Sequence, residues 1–155
     1  MSVRLVSGGS GDLDALTKIT AEAFDPRFGE AWSATQLRGT LAQPGSWLRI
    51  AVDGDAAVGF TLCRVIVDEA ELLLIAVAPG ARGTGVGRLL LDAALEDARG
   101  RGVTSMFLEM RDGNAAGSAL YHGRGFVEVG RRRDYYRGAE AQRFDAITMR
   151  RSLNP

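Results

Sequence analysis

An apolar stretch that feeds a glycine-rich turn and then opens a helix constrains this chain more than any other feature: Val77-Ala78-Pro79-Gly80-Ala81-Arg82-Gly83-Thr84-Gly85-Val86-Gly87-Arg88-Leu89-Leu90-Leu91. Glycines let the backbone approach an anion closely. The unsatisfied N–H groups of the first helical turn point at that anion, and the positive end of the helix dipole lies behind them. Arg82 and Arg88 add flanking charge. No Gly-Lys-Ser/Thr follows, so this is not a nucleotide P-loop, and the glycine spacing differs from the dinucleotide fingerprint. The pattern is Arg-x-x-Gly-x-Gly, and its context is a strand at Glu71–Val77 followed by a helix over 86–99 that Gly100 stops.

At 155 residues, 46% hydrophobic and 25% charged, the chain reads as one globular domain with a genuine core. Nineteen basic residues against nineteen acidic ones leave no net charge, which argues against a general binder of nucleic acid or membrane surfaces. Arginines do concentrate after residue 124, where they suit either an anionic partner or a solvated face. Cys63 is the single cysteine and His122 the single histidine. Disulfides, cysteine zinc sites and histidine-pair metal sites are therefore excluded, and no metal is expected. The N-terminal residues lack a signal-peptide core and no apolar run is long enough to span a bilayer, so a cytoplasmic protein is expected.

Apolar periodicity and turn residues give the remaining elements. Strands are expected at Val3–Ser7, 46–52, 56–67, Thr104–Arg111, Phe126–Arg133 and Arg143–Arg151, with helices over Asp12–Phe24, from Ser33 to Pro44, and over Asn114–Gly123. Ser33 and Gln36 form a capping box that starts the second helix. Seven strands interleaved with four helices predict an α/β fold, a mixed sheet with helices on both faces.

The glycine turn, together with the block Leu108-Glu109-Met110-Arg111, Asn114-Ala115-Ala116, Ala119-Leu120-Tyr121 and Gly125-Phe126, resembles the GNAT superfamily of N-acetyltransferases. Added to Ala31-Trp32-Ser33, Asp68-Glu69-Ala70, Ile75-Ala76-Val77, Tyr135-Tyr136 and Asp145-Ala146-Ile147-Thr148-Met149, it is most similar to the bacterial ribosomal-protein alanine N-acetyltransferases, the RimI type. Four departures are local: Ala31 where that group usually has Pro, Arg124 where it has Leu, Asp134 where it has Asn, and Arg137 where Pro often follows the tyrosines.

The resemblance implies a single GNAT domain over 1–155, a mostly antiparallel seven-stranded sheet, acetyl-CoA as cosubstrate, and a protein N-terminus as acceptor, with a ribosomal protein foremost. It implies Glu109 as the group that takes a proton from the amine. It also implies that the N–H groups at Ile75 and Val77 meet the acetyl carbonyl and pantetheine, and that Asn114 meets the pantetheine arm. Arg82, Gly83, Thr84, Gly85, Val86, Gly87 and Arg88 would hold the diphosphate.

Tyr121 is the candidate acid, since a phenol with pKa about 10 is protonated at neutral pH and can donate to a thiolate. Trp32, Tyr135 and Tyr136 are candidate walls of the acceptor slot. A lone Cys63 inside an apolar strand and a His122 near the end of a short helix are both poor candidates for chemistry. Transfer to a lysine side chain or small amine is the alternative enzyme reading, and a non-catalytic acetyl-CoA-binding module the alternative of another class.

Overall fold

The computed structural model describes residues 2–154. Seven strands form one sheet, β1 (Val3–Ser7), β2 (Ser46–Asp53), β3 (Ala56–Ile66), β4 (Glu69–Val77), β5 (Ser105–Arg111), β6 (Val127–Arg137) and β7 (Arg143–Ser152), in the order β1-β2-β3-β4-β5-β7-β6. Four α-helices accompany it: α1 (Leu13–Ala23), α2 (Ala34–Leu41), α3 (Val86–Gly100) and α4 (Ala115–Gly123). Only β4 and β5 run parallel; every other neighbouring pair is antiparallel. The mixed, mostly antiparallel α/β fold expected from the sequence is the one observed.

Strand alternation sorts the core into two layers. Leu48, Ile50, Phe60 and Leu62 meet Leu16, Ile19 and Ala23 of α1 and Leu37 of α2, whereas Trp47 and Cys63, one residue out of phase, join Leu91, Ala94, Leu95 and Ala98 of α3 on the other face. Burying each such leucine contributes about 1.5–3 kcal/mol, which is enough to fix the register of every strand that supplies one.

In β4 the alternation breaks. Leu62 pairs with Leu74 but Cys63 pairs with Leu72, so Leu73 is an extra residue, a bulge. Leu72 consequently belongs to the α3 layer and Leu74 to the α1 layer, although the two share parity.

Several boundaries differ from expectation, among them the end of α2, which stops at Leu41 rather than at Pro44. Gly100 does not end α3; the helix includes it, and Gly102, at φ +78°, makes the left-handed exit instead. β6 does not end at Arg133 but continues to Arg137 through a register shift between Arg132 and Tyr136. Phe126 precedes that strand and is buried against Tyr121 with ring centroids 6.0 Å apart. The capping box is present as expected, with Gln36 N–H donating to Ser33 Oγ at 3.2 Å and Ser33 N–H donating to Gln36 Oε1 at 2.8 Å.

Candidate active site

β4 and β5 are paired only from Glu69–Ser105 to Leu72–Leu108. Beyond the Leu73 bulge they separate, although β4 continues to Val77 and β5 to Arg111. The β5-facing edge of residues 73–77 is thus left without a ladder partner, an opening that a ligand's polar groups can fill.

Three adjoining cavities occupy the gap. A loop-side cavity of about 380 Å³ is lined by Ile75, Val77, Arg82, Gly87, Asn114 and Tyr121 among others. A narrow junction of about 100 Å³ shares Ile75, Asn114 and Tyr121 with it and adds Trp32, Glu109 and Tyr136. An outer cavity of about 490 Å³ shares Trp32, Glu109 and Tyr136 with the junction and reaches Tyr135, Glu71 and Arg132.

The glycine turn closes the loop-side end. Gly83 and Gly85 have φ +73° and +87°, and Gly85 is the N-cap of α3 without a side-chain cap, so the cap residue itself places no side chain before the first-turn N–H groups. Gly87 is different. A Cβ there would make only ordinary contacts, 3.7 Å from Leu120 and 3.8 Å from Val77. The Arg82 guanidinium donates to the carbonyl of Ala23, and the Thr84 hydroxyl to that of Ala81. Val86 is buried, so it offers the loop its backbone alone. Arg88 lies outside the main cavities and lines a separate hollow of about 300 Å³ with Gly85 and Arg124. Asn114, the N-cap of α4, accepts from Gly117 N–H at 3.0 Å.

Glu109 is the carboxylate between the junction and the outer cavity. Its Oε1 lies 3.2 Å from Arg132 Nε, while Oε2 is buried with no donor. Burial pushes its carboxyl above the usual range, with Arg132 opposing that shift and Glu71 adding to it. Tyr121, on α4, is 7% exposed, and burial followed by the charge of Glu30 pushes its phenol up. The Tyr136 phenol is raised too, mainly by burial. Tyr135 packs edge-on against Tyr136 at 5.0 Å but is 49% exposed and stands farther out than the junction.

Sequence reasoning missed two ionic groups. Arg111 Nε donates to Glu30 Oε1 at 3.1 Å, and its guanidinium lies 3.7 Å from the Phe28 ring centroid, which ties the segment before α2 to the end of β5. Arg132 is the second, holding Glu109. A period of two places Glu109 and Arg111 on one face of β5, so Arg111 could have been found. Glu30 lies between the first two helices, in a stretch to which no element or role is assigned from the sequence.

Asp134, one of the local departures, takes φ +55° and donates its N–H to Asp145 Oδ1 at 3.0 Å. Asn and Asp are the side chains that best tolerate that conformation, so the exchange suits the turn. His122 is exposed, its Nδ1 against the Ser118 carbonyl at 2.9 Å. Cys63 is fully buried and burial pushes its thiol up, the opposite of what a nucleophile needs. Cys63→Ala is therefore expected to retain full catalytic activity in a thiol-release assay, and an inactive, folded variant would restore a covalent route. No cluster of three or more potential metal ligands occurs among the described residues.

The sequence matches the profile of the Acetyltransferase (GNAT) family over residues 13–126. It is 38% identical over 118 residues to the [ribosomal protein bS18]-alanine N-acetyltransferase of Salmonella typhimurium strain LT2, covering 76% of this chain and 78% of that one. It is 40% identical over 126 residues to the N-alpha-acetyltransferase RimI of Mycobacterium tuberculosis, covering 79% and 76%. The crystal structure of the ribosomal-protein-S18-alanine N-acetyltransferase from Escherichia coli superposes with a TM-score of 0.88 at 31% identity, covering 99% of this chain and 96% of that one.

Proposed function

Because this chain belongs to the GNAT family of acetyltransferases, we propose that it transfers the acetyl group of acetyl-CoA to the α-amino group of a protein with a small first residue, alanine foremost. A ribosomal protein is the proposed acceptor, as the names of the Salmonella typhimurium and Escherichia coli proteins indicate for them. The observation that carries the reading is the buried, donor-free Oε2 of Glu109 at the narrow junction. An unpartnered buried carboxylate oxygen is costly, and an ammonium arriving from the outer cavity removes the deficit.

The loop-side cavity fits acetyl-CoA. Left-handed glycines leave the α3 N-terminus open to a diphosphate, Asn114 faces the arm, and the unpaired edge at Ile75 and Val77 offers backbone groups to the carbonyl. Acetyl-CoA supplies an activated carbonyl, so the protein has to provide position and proton transfer. Glu109 accepts a proton from the ammonium, which frees the nitrogen lone pair. Tyr121 reaches both the junction and the loop-side cavity, where its phenolic proton can meet the departing sulfur. Trp32 and Tyr136 narrow the junction to about 100 Å³, roughly the space of three water molecules. This favours a first side chain no larger than a methyl or hydroxymethyl group.

An α-amine with pKa near 8 is about one-tenth neutral at pH 7, whereas a lysine amine with pKa near 10.4 is only about 0.04% neutral. A peptide starting with free alanine is expected to be acetylated far faster than the same peptide blocked at its N-terminus and carrying lysine. Bulky or charged first residues should react poorly. Mass spectrometry of the peptides after equal incubation checks this; preferential lysine modification would replace this acceptor with a side-chain or small amine.

A further inference from the structure

The two oxygens of Glu109 sit in unlike surroundings. Oε1 is 3.2 Å from Arg132 Nε, and Oε2 is buried and free of donors. Arg132 does not come from a neighbouring strand. It faces Ala146 on β7, while Glu109 faces Thr148 on the other edge of that strand, so the arginine crosses β7 to reach the carboxylate.

Its path is built. The β6 register shift lies immediately after Arg132, fixed by Asp134 with its N–H on Asp145, and the guanidinium lies 5.4 Å from the Tyr135 ring centroid. The side chain remains 61% exposed. An ion pair that open adds little to the stability of the fold.

We propose that Arg132 is a positioning residue for acetyl transfer: by holding Oε1 it turns Oε2 of Glu109 into the junction as the one oxygen offered to the incoming amine. The inference rests on Glu109 being the base. The terminal torsion of a glutamate is broad, so without a partner the carboxylate samples many orientations. A cation 3.2 Å from one oxygen narrows that freedom by drawing Oε1 towards the guanidinium.

The charge of Arg132 has a second consequence. Burial and Glu71 of β4 disfavour the charged form of Glu109, and Arg132 acts against both. Polar groups lining the same two cavities include Glu69 of β4, Tyr135 and Tyr136 of β6, Tyr121 of α4 with its N-cap Asn114, Glu30 before α2 and the neutral Thr148 of β7. Other cations nearby are engaged elsewhere: Arg111 holds Glu30, and Arg64 donates to the Pro44 carbonyl. Loss of Arg132 leaves the base protonated to a higher pH, and since only the deprotonated form accepts a proton, activity should then fail earlier as pH drops.

The test is the pH dependence of kcat/KM for an alanine-started peptide in wild type, Arg132→Gln, Arg132→Lys and Glu109→Gln. In Arg132→Gln the acidic limb should move up by about half a pH unit or more, and the plateau kcat should fall by roughly tenfold. The acetyl-CoA Kd should stay at the wild-type value. Arg132→Lys should return the limb towards its original position while recovering the plateau only in part, because an ammonium replaces the charge but not the planar fork.

A lower plateau with an unmoved limb would mean that Arg132 merely supports the local fold, and unchanged kinetics would give it no part at all; either result overturns the proposal. Glu109→Gln should abolish the limb or the activity. If it leaves a wild-type limb, Glu109 is not the base, and that failure is separate from an unmoved limb in Arg132→Gln.

Discussion

Replacing Tyr121 by phenylalanine is expected to lower kcat by about 10²-fold or more, the usual contribution of a positioned general acid, while acetyl-CoA affinity stays nearly unchanged. The ring is retained, so its edge-to-face contact with Phe126 at 6.0 Å survives and the fold is not at issue. Only the hydroxyl is lost. Burial and Glu30 raise the proton affinity of that hydroxyl, which keeps the proposed acid in its protonated form. The same shift makes a free-standing transfer to sulfur harder, so the proton has to move as the C–S bond breaks. Single-turnover kinetics beside calorimetric Kd values separate the two quantities; full activity would assign protonation of the thiolate to water.

Gly85→Asp is expected to abolish acetyl-CoA binding by calorimetry and to leave the circular dichroism spectrum near that of wild type. At φ +87° the substitution strains the backbone, at a cost of roughly 1 kcal/mol. A Cβ at this position meets nothing within 4 Å. The carboxylate would stand before the first turn of α3, where a negative charge favours the helix. The same charge repels a diphosphate from that place. Loss of binding without loss of folding is therefore the expected pair of results, and a folded variant with unchanged affinity would move the anion site off this turn.

Much of the frame is legible because local chemistry decides it. The Ser33–Gln36 capping box, the helix over Asp12–Phe24 and the break between the strands at 46–52 and 56–67 each rest on contacts within a few residues. The bulge is not legible, since four apolar residues in a row, Leu72 to Ile75, suit either face and conceal the change of phase. Glu109 and Tyr121 could be singled out through the company they keep in a recognisable block. Arg132 and Glu30 could not, because their partners lie across another strand or 81 residues away, and spacing along a chain carries no information about contacts between non-adjacent elements. Nor did a strand expected to stop at Arg133 foresee that the tyrosine pair continues β6 beyond a left-handed Asp134.

The extra residue in β4 makes the site depend on length more than on identity. Leu73 can be exchanged for another apolar residue and the chain still has one residue too many for a regular ladder opposite β3. Deleting Leu73 would instead restore strict alternation, with Leu72 and Leu74 still on their own faces of the sheet, and let β4 continue its pairing with β5 past Leu108. The result would be a more complete sheet with no opening in it. Tolerance to substitution and intolerance to deletion should thus coincide on one short stretch of strand, where the reading frame of hydrogen bonds, rather than any side chain, creates the space for chemistry.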